Sequence, residues 1–286
     1  MRISRVSDIV CIGGESPYWS TSENVLYFVD GRGRRVWRLD PATDERRSWD
    51  MPAFTAMVTQ SENGDLLIGL ADGVYRLKRD SGELTRLGSQ PLRTDTQCAD
   101  GKVDRQGRFI VMTSDRKMQQ PLGGIFRVAG DALTPLDDGY RLANGPCWSP
   151  DGTTFYCSDS RLRQILAYRY DPTSGALSEK RVFADTSHFG GITDGATVDR
   201  DGRLWVAMCV IGKILCFTAA GSVERVIEMP TAGVSSVMFG GPLLDKLYVT
   251  SMDVSLFGHP PSPNAGHLFV IEDLDATGLA ETPAKP

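Results

Sequence analysis

Short apolar strands separated by turn residues repeat along the whole chain. Each repeat starts with an apolar segment, passes through a turn containing Gly, Asn or Asp, and continues into a second alternating strand. Corresponding positions recur at roughly 40–50 residues, the period of a four-stranded propeller blade. The six inner hairpins pair residues 17–19 with 25–29, 57–59 with 66–69, 101–104 with 109–111, 146–148 with 154–157, 196–198 with 204–207, and 237–239 with 246–249.

A third strand rich in β-forming residues follows each hairpin. The segment 3–9 has no partner within the first repeat, and the last repeat ends at Ile271. We therefore predict an all-β, six-bladed propeller with four-stranded blades, in which residues 3–9 supply the outer strand of the last blade. Such closure hides an exposed sheet edge. The predicted domain spans residues 1–275, and the tail 276–286, which contains Pro283 and Pro286, is expected to be frayed.

The hairpin of the fifth repeat shows where functional side chains can collect. Asp201 and Gly202 predict a two-residue turn with positive φ angles, and Asp194 lies at the head of the strand that enters this hairpin. Glu15 and Asn144 occupy equivalent places in the first and fourth repeats, each beside small residues. Because the innermost strands of a propeller converge on its channel, all three side chains are expected to point into one channel end.

Two carboxylates and one amide oxygen form a hard, all-oxygen donor set. Such a set suits Ca²⁺, Mg²⁺ or Mn²⁺ better than a soft metal. Without a ligand, three unpaired polar groups buried together would be costly. The alternative is that Glu15, Asn144 and Asp194 are turn residues whose side chains bind nearby backbone amides.

Composition limits the classes of partner. The 286-residue chain is 41% hydrophobic and carries a formal net charge of −5, with basic residues scattered along it, so neither nucleic acid nor an anionic membrane is an expected partner. Residues 1–10 lack the apolar core of a signal peptide. The six cysteines show no C-x-x-C spacing, and most lie in apolar strands. We predict a cytoplasmic protein with a small-molecule substrate; its oligomeric state stays open.

Four motifs together resemble the SMP-30/gluconolactonase family, which includes regucalcin and sugar lactonases. They are Gly-Glu-Ser-Pro-x-Trp at 14–19, Asn-Gly-Pro-x-x-Ser-Pro-Asp-Gly-x-x-x-Tyr at 144–156, Asp-Gly-x-x-x-Asp-x-Asp-Gly-x-Leu-Trp-Val-Ala at 194–207 and Phe-Gly-Gly-Pro at 239–242. The resemblance implies that Glu15, Asn144 and Asp194 bind one divalent metal ion (Ca²⁺, Zn²⁺, Mn²⁺ or Mg²⁺). It also implies that Asp194 is the catalytic base of a lactonase, which adds water to a cyclic ester.

The third repeat departs from the family pattern. The family reads Arg-x-Asn-Asp-Gly where this chain has residues 97–101, and the arginine and asparagine contact sugar hydroxyls. Here Gln97 and Ala99 replace them, while Asp100 is kept. Gln97, Ala99 and Asp100 are therefore the expected substrate-facing positions, with Asp115 at the pocket rim. Because Ala99 cannot hydrogen-bond to a hydroxyl through its side chain, we expect a less polar or differently substituted lactone or ester.

Two further alternatives follow from these residues. Cys98 could act as a nucleophile, but no His accompanies it in a neighbouring motif, so packing is the preferred interpretation. The altered 97–99 segment also fits a propeller that keeps the metal but has a binding or regulatory role, or that hydrolyses a non-lactone ester. Asp159, at a strand end of the fourth repeat, fits a turn residue at least as well as a site residue.

Overall fold

Six four-stranded antiparallel sheets form a ring in the computed structural model, which describes residues 1–87, 93–130 and 132–285. The inner strand of each blade contacts the inner strands of both neighbouring blades, so the ring closes around a central channel. The predicted six-bladed β-propeller is therefore confirmed. No helix in the described ranges is long and apolar enough to span a lipid bilayer.

Each blade is given from its inner to its outer strand. Blade 1 contains Gly14–Ser20, Val25–Asp30, Arg35–Leu39 and Arg46–Asp50; blade 2 contains Thr55–Gln60, Leu66–Leu70, Gly73–Leu77 and Leu84–Leu87; blade 3 contains Thr96–Val103, Phe109–Asp115, Gly123–Ala129 and Ala132–Tyr140. Blade 4 contains Ala143–Trp148, Thr154–Asp159, Gln164–Tyr170 and Leu177–Asp185; blade 5 contains Ile192–Val198, Leu204–Cys209, Lys213–Phe217 and Val223–Glu228; blade 6 contains Val234–Gly240, Lys246–Ser251, His267–Glu272 and Arg2–Val10. Two short 3₁₀ helices, Ser187–Phe189 and Val254–Phe257, lie in connecting loops.

The amino-terminal strand closes the ring as the sequence predicts. Arg2–Val10 pairs antiparallel with His267–Glu272, and Ile3 lies opposite Ile271 in this pairing. The start of the chain thus supplies the outer strand of blade 6, and backbone hydrogen bonds within this blade hold the two ends of the ring together.

Six hydrophobic clusters fill the six interfaces between neighbouring blades. Alternation along each strand sends successive side chains to opposite sheet faces, so every blade contributes to two clusters. Between blades 6 and 1, Trp19 stacks on Tyr248 with ring centroids 5.4 Å apart. Between blades 5 and 6, the ring edge of Trp205 meets Phe239 at 5.9 Å. Such aromatic pairs contribute about 0.5–1.5 kcal/mol beyond the area that they bury.

The predicted two-residue turn at Asp201 and Gly202 is wrong. Residues 199–203 connect the two strands, and Gly202 alone among them has a positive φ, of 83°. The Asp199 carboxylate organises this loop by accepting the N–H groups of Asp201 and Arg203 at 3.0 and 2.9 Å. A buried carboxylate that satisfies several loop donors favours the longer connection over a tight turn.

The carboxy-terminal tail, expected to be frayed, is instead bound to the propeller through residue 285. Gly278 forms a bridge with Asp199 of the blade 5 loop, and Ala284 forms one with Ser61 of the blade 2 loop. Ala284 is fully buried in the cluster between blades 2 and 3. Because blades 5 and 2 lie on opposite sides of the ring, the tail crosses the channel at the hairpin end. Backbone hydrogen bonds and a buried methyl group offset the entropy that favours fraying.

Candidate active site

Irregular strand pairing near the channel aims the three predicted ligand residues. In blade 5 the pairing passes from Thr193 opposite Met208 to Ala196 opposite Val206, so that residues 194 and 195 face a single residue. The inner strands of blades 1 and 4 show the same kind of break directly after Glu15 and Asn144. A bulge re-aims the side chains beside it; it begins just after the candidate ligand in blades 1 and 4 and includes Asp194 in blade 5.

Glu15, Asn144 and Asp194 occupy one end of the channel. Asn144 and Asp194 are 8% and 7% exposed, and Glu15 is half-buried. Removal from water, followed by repulsion from Asp194 and then Asp100, raises the pKa of Glu15 well above its usual range. Removal from water and repulsion from Asp100 do the same to the pKa of Asp194. Mutual repulsion of this kind requires that the carboxylates face a shared space.

In the described part of the chain, few hydrogen-bond donors contact the side-chain oxygens of Glu15, Asn144 and Asp194. The N–H groups of Ser16 and Gly195 partly lower the raised pKa values of Glu15 and Asp194, respectively. The side-chain nitrogen of Asn144 donates to Ser160 Oγ at 2.9 Å, which leaves its amide oxygen for another partner. The carboxylate and amide oxygens of this site are therefore suited to bind a hard cation.

Residues 1–87, 93–130 and 132–285 contain no group of three His, Cys, Asp or Glu side chains placed to hold a metal ion. A metal centre at this channel end therefore depends on the amide oxygen of Asn144 as well as on two carboxylates.

Two aspartates at the ends of second strands hold the loops that lead to the candidate ligands. Asp30 accepts the N–H groups of Ile12 and Gly13 at 3.0 and 2.9 Å, just before Glu15. In blade 4, the corresponding side chain accepts the N–H of Arg141 at 2.9 Å, just before Asn144. That side chain is Asp159, so the turn interpretation describes its contacts. Sequence analysis missed Asp30, although an aspartate ends the second strand in both blades.

Blade 3 contributes two charged side chains to the same region. The Asp100 carboxylate accepts the N–H of Gly101 at 2.7 Å and that of Gly145 at 2.9 Å, which ties blade 3 to the residue after Asn144. Lys102 Nζ donates to the carbonyl oxygen of Ala196 at 2.9 Å. Sequence analysis missed Lys102; its only signal is a cationic residue in the middle of an inner strand.

The other predicted positions of blade 3 differ in their surroundings. Gln97 is half-buried and pairs with Ser114, and Ala99 lies at the break in pairing before Asp100, at the level of the three candidate ligands. The carboxylate of Asp115 is engaged elsewhere: it accepts the N–H groups of residues 119 and 120 at 2.8 Å each, which lowers its pKa. The structure thus gives Asp115 a loop-stabilising contact.

The thiol of Cys98 is fully buried, and burial raises its pKa to about 12. A buried thiol with a raised pKa is a poor nucleophile, which agrees with the packing interpretation. Asp100, Ser16, Lys102 and Ser236 help to line a cavity of about 20 Å³, which has room for about one water molecule and is not lined by Glu15, Asn144 or Asp194.

Comparisons with known proteins identify the family of this chain. The family model described as the SMP-30/gluconolactonase/LRE-like region matches residues 13–253. Pentonolactonase XacC of Haloferax volcanii is 34% identical over 261 residues, which cover 88% of this chain and 85% of the relative.

Two solved structures share the fold at 23% sequence identity. A luciferin-regenerating enzyme superposes with a TM-score of 0.91 over 100% of this chain and 99% of its own. A regucalcin from Agrobacterium tumefaciens, described as a calcium-binding protein, superposes with a TM-score of 0.89 over 98% and 96% of the two chains. The family match spans all three candidate ligands, and the chain therefore belongs to the SMP-30/gluconolactonase/LRE-like family.

Proposed function

We propose that this protein is a divalent-metal-dependent hydrolase that opens a lactone ring to a hydroxy acid. The observation that carries the proposal is the convergence of Glu15, Asn144 and Asp194 at one channel end, with oxygen atoms that few protein donors reach. The 34% sequence identity to a pentonolactonase supports a cyclic ester as the substrate class.

Glu15, Asn144 and Asp194 would hold the metal ion. A cation at this place would offset the repulsion between the two carboxylates, which otherwise raises their pKa values. Ca²⁺, Mg²⁺ and Mn²⁺ suit oxygen ligands, Zn²⁺ also accepts them, and one relative of known structure is described as calcium-binding. When bound, the cation supplies a Lewis acid that polarises the lactone carbonyl.

Asp194 serves as the general base. Its carboxylate takes a proton from the attacking water while the water oxygen bonds to the carbonyl carbon. The ring carbon–oxygen bond then breaks, and the proton moves to the departing alkoxide to give the hydroxy acid. Asp194 must be ionised to accept the proton, and a nearby dication favours its charged form. Asp100 keeps the blade 4 loop in place through the N–H of Gly145.

The substrate is a small molecule. The part of it that faces blade 3 is less polar than the corresponding part of an ordinary aldonolactone. Ala99 offers a methyl group at the level of the ligands, and Gln97 can hydrogen-bond without carrying a charge. A site that lacks hydrogen-bond donors for a hydroxyl group gains little binding energy from substrates that carry a hydroxyl group there. The six cysteines are free and buried, which fits a cytoplasmic location, where thiols stay reduced.

Hydrolysis of a panel of sugar and non-sugar lactones by metal-stripped protein tests the proposal. A pH indicator follows acid release before and after addition of Ca²⁺, Mg²⁺, Mn²⁺ or Zn²⁺. We expect a metal to restore turnover of at least one lactone, and less polar rings to be opened faster than glucono-1,5-lactone. The Asp194→Asn variant should be inactive, while Asp151→Asn, in an exposed turn of blade 4, should keep activity.

If protein that still binds metal hydrolysed none of the lactones in the panel, this result would contradict the lactonase assignment. That result would favour a binding or regulatory role, or the hydrolysis of a non-lactone ester. Glucono-1,5-lactone as the best substrate would contradict the preference for a less polar ring while leaving the hydrolase in place.

A further inference from the structure

Lys102 crosses the channel next to the candidate metal centre. It lies two residues after Asp100 on the inner strand of blade 3, and its Nζ donates to the carbonyl oxygen of Ala196 on blade 5 at 2.9 Å. Ala196 follows Asp194 by two residues. The side chain is half-buried, and the carbonyl holds the ammonium group near Asp100, on whose pKa its charge acts.

Asp100 lies next to the two candidate carboxylate ligands, because its carboxylate accepts the N–H of Gly145 directly after Asn144, but it is not placed as a third carboxylate ligand. Repulsion from Asp100 acts on both Glu15 and Asp194, so the three groups belong to one electrostatic unit. Within the described ranges, no salt bridge joins an Arg or Lys side chain to any of the three; Lys102 lies near them but gives its hydrogen bond to a carbonyl oxygen. Removal from water raises the pKa of Asp100, and the N–H groups of Gly145 and Gly101 and the Lys102 ammonium act in the opposite direction.

We propose that Lys102 is a positioning residue of the metal centre, whose fixed positive charge makes the centre select a divalent over a trivalent cation. The inference rests on the metal-dependent function proposed above. Three carboxylates by themselves would match the charge of a trivalent ion. The Lys102 ammonium removes one unit of that negative charge, and a divalent ion balances the remainder.

A purely mechanical role for Lys102 makes a different prediction. A tie between blades 3 and 5 would affect all metal ions alike, because it would change the distances between ligands and not the charge of the site. Ion selectivity therefore separates the electrostatic role from the mechanical one. Replacement by Gln removes the charge but keeps a side-chain donor, whereas replacement by Met removes both.

The experiment compares Ca²⁺ and Tb³⁺ binding to the full-length, metal-stripped protein. Calorimetry gives the Ca²⁺ affinity, and Tb³⁺ luminescence gives the trivalent affinity. In Lys102→Gln and Lys102→Met, we expect the ratio of Tb³⁺ to Ca²⁺ affinity to rise at least about tenfold over the unsubstituted protein. Lys102→Arg should keep the original ratio. Lys78→Met removes a lysine that pairs with Glu83 on the exposed edge of blade 2, and it should also leave the ratio unchanged.

An unchanged ratio in Lys102→Gln, with weaker binding of both ions, would overturn the electrostatic role and leave a mechanical tie. If Lys102→Met does not fold, Lys102→Gln decides the question, because it keeps a donor for Ala196. Failure of the unsubstituted protein to bind either ion would instead overturn the metal centre itself. The two failures are thus distinguishable without any measurement of activity.

Discussion

The side-chain nitrogen of Asn144 donates to the hydroxyl oxygen of Ser160 over 2.9 Å, in the buried end of blade 4. An amide group carries its nitrogen and oxygen on opposite sides, so this contact selects one orientation and frees the oxygen. Ser160 follows directly after Asp159, which holds the loop before Asn144. The end of one strand thus fixes both the backbone and the rotamer of a candidate ligand.

Replacement of Ser160 by Ala should weaken metal binding roughly 10–100-fold, the usual effect of losing a residue that orients a metal ligand. The amide of Asn144 would then be free to rotate. Calorimetric titration of metal-stripped protein with Ca²⁺ measures the change. Ser149→Ala removes a comparable hydroxyl from the turn at the other end of blade 4 and should have no effect on affinity. Equal affinities of Ser160→Ala and the unsubstituted protein would show that Ser160 does not orient Asn144.

Replacement of Asp194 by Asn should lower the rate of lactone hydrolysis by about 10²–10⁴-fold, because the amide cannot accept the proton of water. The fold should be retained, since the two side chains have nearly the same shape. Initial rates on the best lactone of the panel and a thermal melt measure the two effects. Substantial residual hydrolysis by Asp194→Asn at saturating metal would show that Asp194 is not the general base.

Metal-free protein should lose stability as the pH rises above the usual range of carboxyl groups. The pKa values of Glu15 and Asp194 are raised in the native state, so this state keeps protons that the unfolded chain has released. The free energy of unfolding then falls from about pH 4 upward through the raised pKa values. Urea denaturation of stripped protein at several pH values measures the slope.

The same measurement has two internal controls. Asp194→Asn should flatten the pH dependence because one of the two groups no longer ionises, and Ca²⁺ should flatten it by favouring both ionised forms. A free energy of unfolding that rises with pH over this whole interval, alike in the Asp194→Asn and unsubstituted proteins, would refute the shared carboxylate site.

Replacement of Gly195 by Ala should destabilise the protein by about 1–3 kcal/mol. A Cβ atom at Gly195 would lie 1.9 Å from Ser236 Oγ and 2.8 Å from Ser236 Cα, so either the bulge after Asp194 or blade 6 must move. Urea denaturation gives the stability change. Gly13→Ala is the matched control, because its added Cβ would meet nothing closer than Arg32 N at 3.6 Å. Similar stability of the two variants would contradict the close approach of blades 5 and 6.

Shortening the chain after Gly278 should lower the melting temperature by about 4–8 °C, as expected for the loss of roughly 2 kcal/mol in a chain of this size. The tail loses its bridge to Ser61 and the buried methyl group of Ala284. Ala284→Arg in the full-length chain should produce a comparable loss, because a charged side chain cannot enter the cluster between blades 2 and 3. Unchanged melting temperatures in both variants would support the prediction from the sequence that the tail is frayed.

The strands, the number of blades and the closure of the ring are all predictable from the amino-acid sequence. Alternation of apolar and polar residues is a local property with a period of two, so it can be read from neighbouring residues. The equivalence of Glu15, Asn144 and Asp194 followed from the same repeat, since equivalent positions in a closed ring lie at one level of the channel. The predicted pairing of the amino-terminal segment with the last blade agrees with the structure for the same reason.

Tertiary structure decided the contacts between distant parts of the chain. Lys102 and its acceptor Ala196 are 94 residues apart, and neither has a local signal for the other. The docking of Ala284 likewise depends on a cavity that blades 2 and 3 form between them. These interactions arise only when the ring is closed, because closure brings together groups whose separation along the chain leaves no periodic trace.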